Sequence, residues 1–129
     1  MTSIKSKNRV YVTDDDIVEL IVVGDQTVDS VHAMGDRAGE LGRKQWADGK
    51  PSLLLDNLNQ MGNVPPNVLS HVIQIARKLN YDKLAMVSGN KIIKATSNTV
   101  LAAIGKLGKV RFFDNRDAAV KWLKNGWDL

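Results

Sequence analysis

The sequence predicts an α/β fold: a small, mostly parallel mixed sheet of about five strands with four helices. Three observations carry this expectation. Short β-forming or continuously apolar runs at residues 10–12, 17–23, 52–56, 83–88 and 110–113 alternate with longer segments whose apolar residues recur every three or four positions. The first two runs are separated only by Asp14-Asp15-Asp16, a polar hairpin turn. Each later run is separated from the one before by a helix-length segment, the spacing of right-handed β-α-β crossovers. A chain of 129 residues fits one folding unit, expected over residues 9–126 after a flexible N-terminal segment of residues 1–8.

The elements follow in order. After the hairpin, Thr27 is a plausible N-cap, and Asp29 sits in the first turn where a carboxylate suits the helix dipole. The apolar stripe of this helix is Val28, Val31, Met34, Ala38 and Leu41, continuing to Gln45 or Trp46. Gly35, Gly39 and Gly42 weaken an isolated helix and are expected to permit close packing on the sheet. The run Leu53-Leu54-Leu55 reads as a short strand buried on both faces and ending at Asp56. Residues 57–67, rich in Asn and Gly, read as a long loop up to Pro66, which suits a first helical turn because it lacks the donor that would go unpaired there. The second helix carries Val68, Leu69, Val72, Ile73, Ala76 and Leu79. Gly89-Asn90 opens a third with Ile93, Val100, Leu101, Ile104 and Leu107, ended by Gly108. Asp114 or Asn115 caps a fourth whose inner face is Ala119, Trp122 and Leu123, with Gly126 at its C-terminal cap. All four apolar faces are expected to be used in covering the sheet.

Composition narrows the function classes. Apolar residues make up 43% and charged residues 25%, close to the soluble average, which excludes disordered and low-complexity chains. There is no apolar run near 18 residues, and the N-terminus lacks a signal peptide's apolar stretch. Cysteine is absent, excluding disulfides, thiolate metal sites and a cysteine nucleophile. A cytoplasmic location is the expectation. The net charge of +4 hides an asymmetry: residues 10–60 hold ten acids against four bases, whereas residues 77–111 hold eight bases against Asp82 alone. That basic segment is expected to form one localised, anion-tolerant surface.

The strand 17–23 closed by Gly24-Asp25, the Leu-Leu-Leu-Asp run ending at Asp56, Leu84-Ala85-Met86-Val87, and above all Phe112-Phe113-Asp114-Asn115-Arg116-Asp117-Ala118-Ala119-Val120-Lys121-Trp122-Leu123 resemble the STAS-type domain, in particular its SpoIIAA-like branch. The resemblance spans roughly residues 9–124. It implies a β-α superhelix around a small mixed sheet, and action by binding rather than catalysis: regulatory docking to another protein, or, as in SEC14-like folds, binding of a small lipid-like or anionic ligand. Family antagonists are switched by phosphorylation at the start of the helix after the third strand. This chain has Gly62-Asn63-Val64-Pro65-Pro66-Asn67 there, without a hydroxyl, so the switch does not carry over. Ser70 is the nearest candidate and reads more simply as an ordinary exposed helix serine.

Ligands of open α/β sheets gather beyond the carboxyl ends of the strands. The binding candidates are therefore Asn57, Met61, Val64 and Asn67 in the 57–67 loop, with Ser88, Asn90, Lys91 and Lys94 at the opening of the third helix. Lys91 and Lys94 stand where the helix dipole prefers an acid, so with free backbone amides they would make an anion-friendly corner. Exposed lysines are equally ordinary there. Acids at strand ends, Asp25, Asp56 and Asp114 among them, read more simply as helix caps than as catalytic groups. His32 and His71 each stand alone in sequence, so no metal site is expected, and no cofactor. Seven aromatic residues, buried by pattern, give no stacking platform for nucleic acid. The expected partner is a protein or a small ligand, with a homodimer as a further option.

Overall fold

The computed structural model describes residues 7–105 and 107–125. The chain runs β1 (Arg9–Val12), β2 (Val18–Gly24), α1 (Val28–Ala47), β3 (Leu53–Met61), α2 (Pro66–Lys78), β4 (Lys83–Val87), α3 (Lys91–Ala103), a 3₁₀ turn (Leu107–Lys109), β5 (Val110–Phe113) and α4 (Arg116–Lys124). This is the expected order of five strands and four helices. The strands lie side by side in chain order; β1 is antiparallel to β2, and every later pair is parallel. Because each parallel strand is added on the same side with the same handedness of crossover, α1, α2 and α3 land on one face of the sheet. The last helix, α4, folds onto the other face through Ala119 and Leu123.

The strands alternate accordingly. Val18, Leu20 and Val22 of β2, Leu54 and Leu58 of β3, and Leu84 and Met86 of β4 face α1–α3, where Ala38, Leu41 and Leu101 pack on them. Ile17, Leu53, Leu55, Ala85 and Val87 face α4 and meet Ala119 and Leu123. One carboxylate lies on the α4 side: Glu19 is 1% exposed and is held by Arg116, whose Nη2 donates to Oε1 at 2.8 Å. Burial alone would raise the Glu19 pKa, but the Arg116 hydrogen bond and charge hold it below the usual value.

The caps are local and legible. Thr27 and Ser30 form a reciprocal capping box on α1, Asn90 accepts from Ile92 and Ile93 at the start of α3, and Asn115 rather than Asp114 caps α4. The α1 stripe ends in a division of labour. Gln45 is buried, donating to Asp16 O at 2.6 Å and accepting from the Leu53 amide, while Trp46 turns outward and donates to Asp82 at 2.7 Å.

Five expectations are corrected. β3 does not end at Asp56 but continues to Met61, paired with Gly24 of β2, so the eleven-residue loop shrinks to residues 62–65. The Asn-rich run mimics a loop in composition, yet Leu58 is buried at the strand alternation and a bulge opposite residues 21–23 absorbs the extra residue. The glycine stripe of α1 faces mainly α2 rather than the sheet. A methyl on Gly35 would lie 2.5 Å from Ile75 Cγ2, and one on Gly39 would lie 3.6 Å from Leu79 Cδ1. Helix α3 stops at Ala103 because Gly105 takes φ +72°, and Gly108 falls in the 3₁₀ turn. The expectation for Leu107 concerns a side chain outside the described ones. Asn8 is tied down, its Oδ1 accepting from the Val23 amide at 2.8 Å, whereas residues 1–6 and the Gly126 cap lie outside the described residues. Finally, α2 and α3 do not seal the sheet. Each contributes one buried residue, Val68 and Leu101, and the rest of their apolar faces stays half-buried or exposed.

Candidate functional site

The carboxyl edge of the sheet is largely satisfied by its own chain. Asn57 lies inside β3 on the α4 side, where it contributes a hydrogen bond to Glu19. Met61 is the last strand residue and packs on the core. Val64 is half-buried in the short loop, which is pinned by Asn63 N donating to Asp25 Oδ1 at 2.8 Å and Gly62 N donating to Gly24 O. Asn67 belongs to the first turn of α2, its carbonyl accepting from the exposed Ser70 hydroxyl at 2.8 Å.

The anion-friendly corner follows the same rule. Ser88 is buried, and its hydroxyl accepts from Asn90 N at 3.0 Å. Gly89 N reaches Asn59 Oδ1, and the Ile92 and Ile93 amides are taken by the Asn90 side chain. The amides of Gly89, Asn90, Ile92 and Ile93, expected to greet an anion, are thus already bonded, and Lys91 and Lys94 stay exposed beside Ile92, which is 76% exposed.

The basic segment does not gather into one surface. Lys91 and Lys94 follow the carboxyl end of β4, while Lys83 begins it, about 16 Å away along a five-residue strand. Lys83 is committed elsewhere: its ammonium donates to the carbonyls of Trp122 and Asn125 at 3.0 Å, at the end of α4.

The stand-off of α2 and α3 produces the feature that sequence reasoning missed. Between them, α1 and the sheet lies a cavity of about 170 Å³. Leu20, Leu54, Leu84 and Met86 form its floor; Val31 and Met34 of α1, Val72 and Ile75 of α2, and Val100 and Leu101 of α3 form its walls. The exposed Thr96 and half-buried Ser97 of α3 lie at its rim. In the centre of this floor, paired in register between Leu20 and Met86, stands Asp56.

Asp56 belongs there because β3 continues past it: with Leu54 and Leu58 inward, strand alternation points residue 56 to the same face. Its Oδ1 is enclosed and has no hydrogen-bond partner among the described residues. Burial pushes the carboxyl pKa up to about 7, since removing water penalises the charged form and, among the described residues, no cation lines the cavity to compensate. Tyr81, also in the lining, is pushed up to about 12 by burial and stays neutral. A strand-end cap was the expected role for Asp56; a carboxyl on an apolar floor is the observed one. The signal that could have found it is Leu58, which continues the alternation of Leu54 past Asp56.

Two further features frame the site. His32 and His71, 39 residues apart in sequence, meet across α1 and α2 with Nε2 and Nδ1 2.8 Å apart, so they do not stand alone in space. Among the described residues no group of three side chains able to hold a metal occurs. A wider groove of about 630 Å³ runs between α1 and α2, but Asp36, Glu40, Arg43 and Lys78 line it with exposed charges of both signs. It expresses no preference for a ligand.

The comparisons agree with this architecture. The profile of the SpoIIAA-like family matches residues 12–124. The crystal structure of an uncharacterized protein from the DUF3478 family with a SpoIIAA-like fold, from Shewanella loihica PV-4, superimposes with a TM-score of 0.64 at 15% identity, covering 95% of this chain and 98% of that one. A search of curated proteins finds no match.

Proposed function

Because this chain belongs to the SpoIIAA-like family, of STAS-type domains that are typically regulatory, we propose that it is a non-enzymatic regulatory module that binds a small, mostly apolar ligand in the cavity over Asp56. The observation that carries the reading is the combination of an apolar enclosure with one central, unpartnered carboxyl. Ligand sites have this composition: apolar walls supply affinity and a few placed polar groups fix orientation. The volume is close to that of a protein cavity known to hold a benzene ring, about 150 Å³. Catalysis finds no support there, since Asp56 has no second acid, base or nucleophile beside it in the lining other than a neutral tyrosine and two hydroxyls.

A protein partner enters through α3. That helix forms one wall of the cavity and carries the exposed Ile92 between Lys91 and Lys94, so ligand occupancy and a docking surface share one element. Native mass spectrometry of the full chain tests the ligand reading. A noncovalent small-molecule adduct is expected on the wild type and absent from Val100→Trp, which fills the cavity. An adduct that survives Val100→Trp with the fold intact places the ligand elsewhere and overturns the reading.

A further inference from the structure

The cavity pairs a carboxyl group with surroundings that offer it nothing of opposite charge. From β2, β3 and β4 it is faced by Leu20, Leu54, Leu84 and Met86, and from α1 and α2 by apolar side chains and Gly35. From α3 come the hydroxyls of Thr96 and Ser97 with Val100 and Leu101, and Tyr81 is the one other titratable group in the lining. Glu19 and Arg116 lie across the sheet, closed on each other. No Lys, Arg or His lines the cavity among the described residues.

The ligand classes differ in what they bring to such a group. An ether or ketone only accepts hydrogen bonds, so it satisfies Asp56 solely in its protonated form. A carboxylate adds a second negative charge to the enclosure. An alcohol can donate or accept but leaves the ionised carboxyl uncompensated. A protonated amine supplies both charge and donors, and the attraction is strengthened because apolar walls exclude water. The usual obstacle to a buried ion pair is stripping water from both partners. Here the fold has already stripped water from Oδ1 of the half-buried Asp56 carboxyl, so part of that cost is met before the amine arrives.

We propose that the cavity selects a compact apolar amine, its ring or short alkyl body held against Leu54, Leu84 and Val100 and its ammonium paired with Asp56. The proposal rests on the reading of the cavity as a ligand site and specifies its chemistry. Affinity then tracks ionisation of Asp56: with a carboxyl that titrates near 7, the ionised fraction rises about tenfold from pH 6 to pH 8, while the amine stays charged throughout.

Calorimetric titration with three near-isosteric probes, benzylamine, benzyl alcohol and toluene, tests this on the full chain at pH 6 and pH 8. Benzylamine is expected to bind at least tenfold tighter than benzyl alcohol at pH 8 and to lose about tenfold of its affinity at pH 6. Asp56→Asn is expected to abolish the amine preference and its pH dependence while still binding benzyl alcohol. Equal binding of the three probes at pH 8, or an amine preference that survives in Asp56→Asn, overturns the amine assignment and leaves the cavity a ligand site. Absence of binding by all three overturns both. Should Asp56→Asn fold poorly, Val100→Trp takes its place: benzylamine binding that persists with the cavity filled sets the amine elsewhere and ends the proposal.

Discussion

Asp56 shows how one side chain can work against the fold that holds it. A carboxyl whose pKa rises to about 7 keeps, in the native state, a proton that the unfolded chain releases near pH 4. The native state therefore binds more protons over that window, and stability falls as pH rises from about 4 to about 7, by about 4 kcal/mol in all. Asp56→Asn removes the titration but leaves a buried amide, which itself costs about 1–3 kcal/mol if unpaired. The variant is expected to fall about 1–3 kcal/mol below the wild type at pH 4 and to exceed it by about 1–3 kcal/mol at pH 8, read from urea midpoints. A variant less stable than wild type at pH 8 would show that the carboxylate is paired there. A residue that costs stability in this way, on a floor where leucine would pack better, is the pattern of a group retained for binding rather than for folding.

At the scale of elements, the placement of α2 decides whether the cavity exists. The helix leans on α1 through Gly35 against Ile75, Gly39 near Leu79, and the His32–His71 contact, and it leaves much of its own apolar face over the cavity. Gly35→Ala should gain about 1 kcal/mol of helix propensity and lose about 1–3 kcal/mol to the collision with Ile75. A net destabilisation is expected, and adding Ile75→Ala should relieve it with a coupling of about 1 kcal/mol in a double-mutant cycle. Additive effects would mean that the two helices do not meet as closely as described. Sequence reading found both helices, the Thr27 cap of α1 and Pro66 in the first turn of α2, because capping and periodicity are local. It placed the glycines against the sheet because nothing in a single helix says which neighbour fills the space a Cβ would take.

Over the whole molecule, two carboxyls on opposite faces of one sheet set opposite limits on stability. Glu19, held below its usual pKa by Arg116, contributes stability that is fully present above the ordinary carboxylate range of about 4.3 and is lost as pH falls through its folded value. Asp56 removes stability as pH rises toward 7. Urea midpoints from pH 3 to pH 9 are therefore expected to peak near pH 4 rather than at neutrality, with the upper limb absent in Asp56→Asn. A profile flat between pH 5 and pH 8 would contradict the burial of Asp56. The sequence by itself determined the β-hairpin, the order of strands and helices, the cap at Thr27, and the family, since each depends on neighbours within a few residues or on a pattern read along the chain. The tertiary structure alone decided that Asn57 and Met61 belong to a strand, that the basic residues flanking β4 lie at its two ends, and that His32 meets His71. It alone decided, too, that α2 and α3 stand apart over Asp56, because a cavity is a property of distances between elements, and no residue in either helix encodes that distance alone.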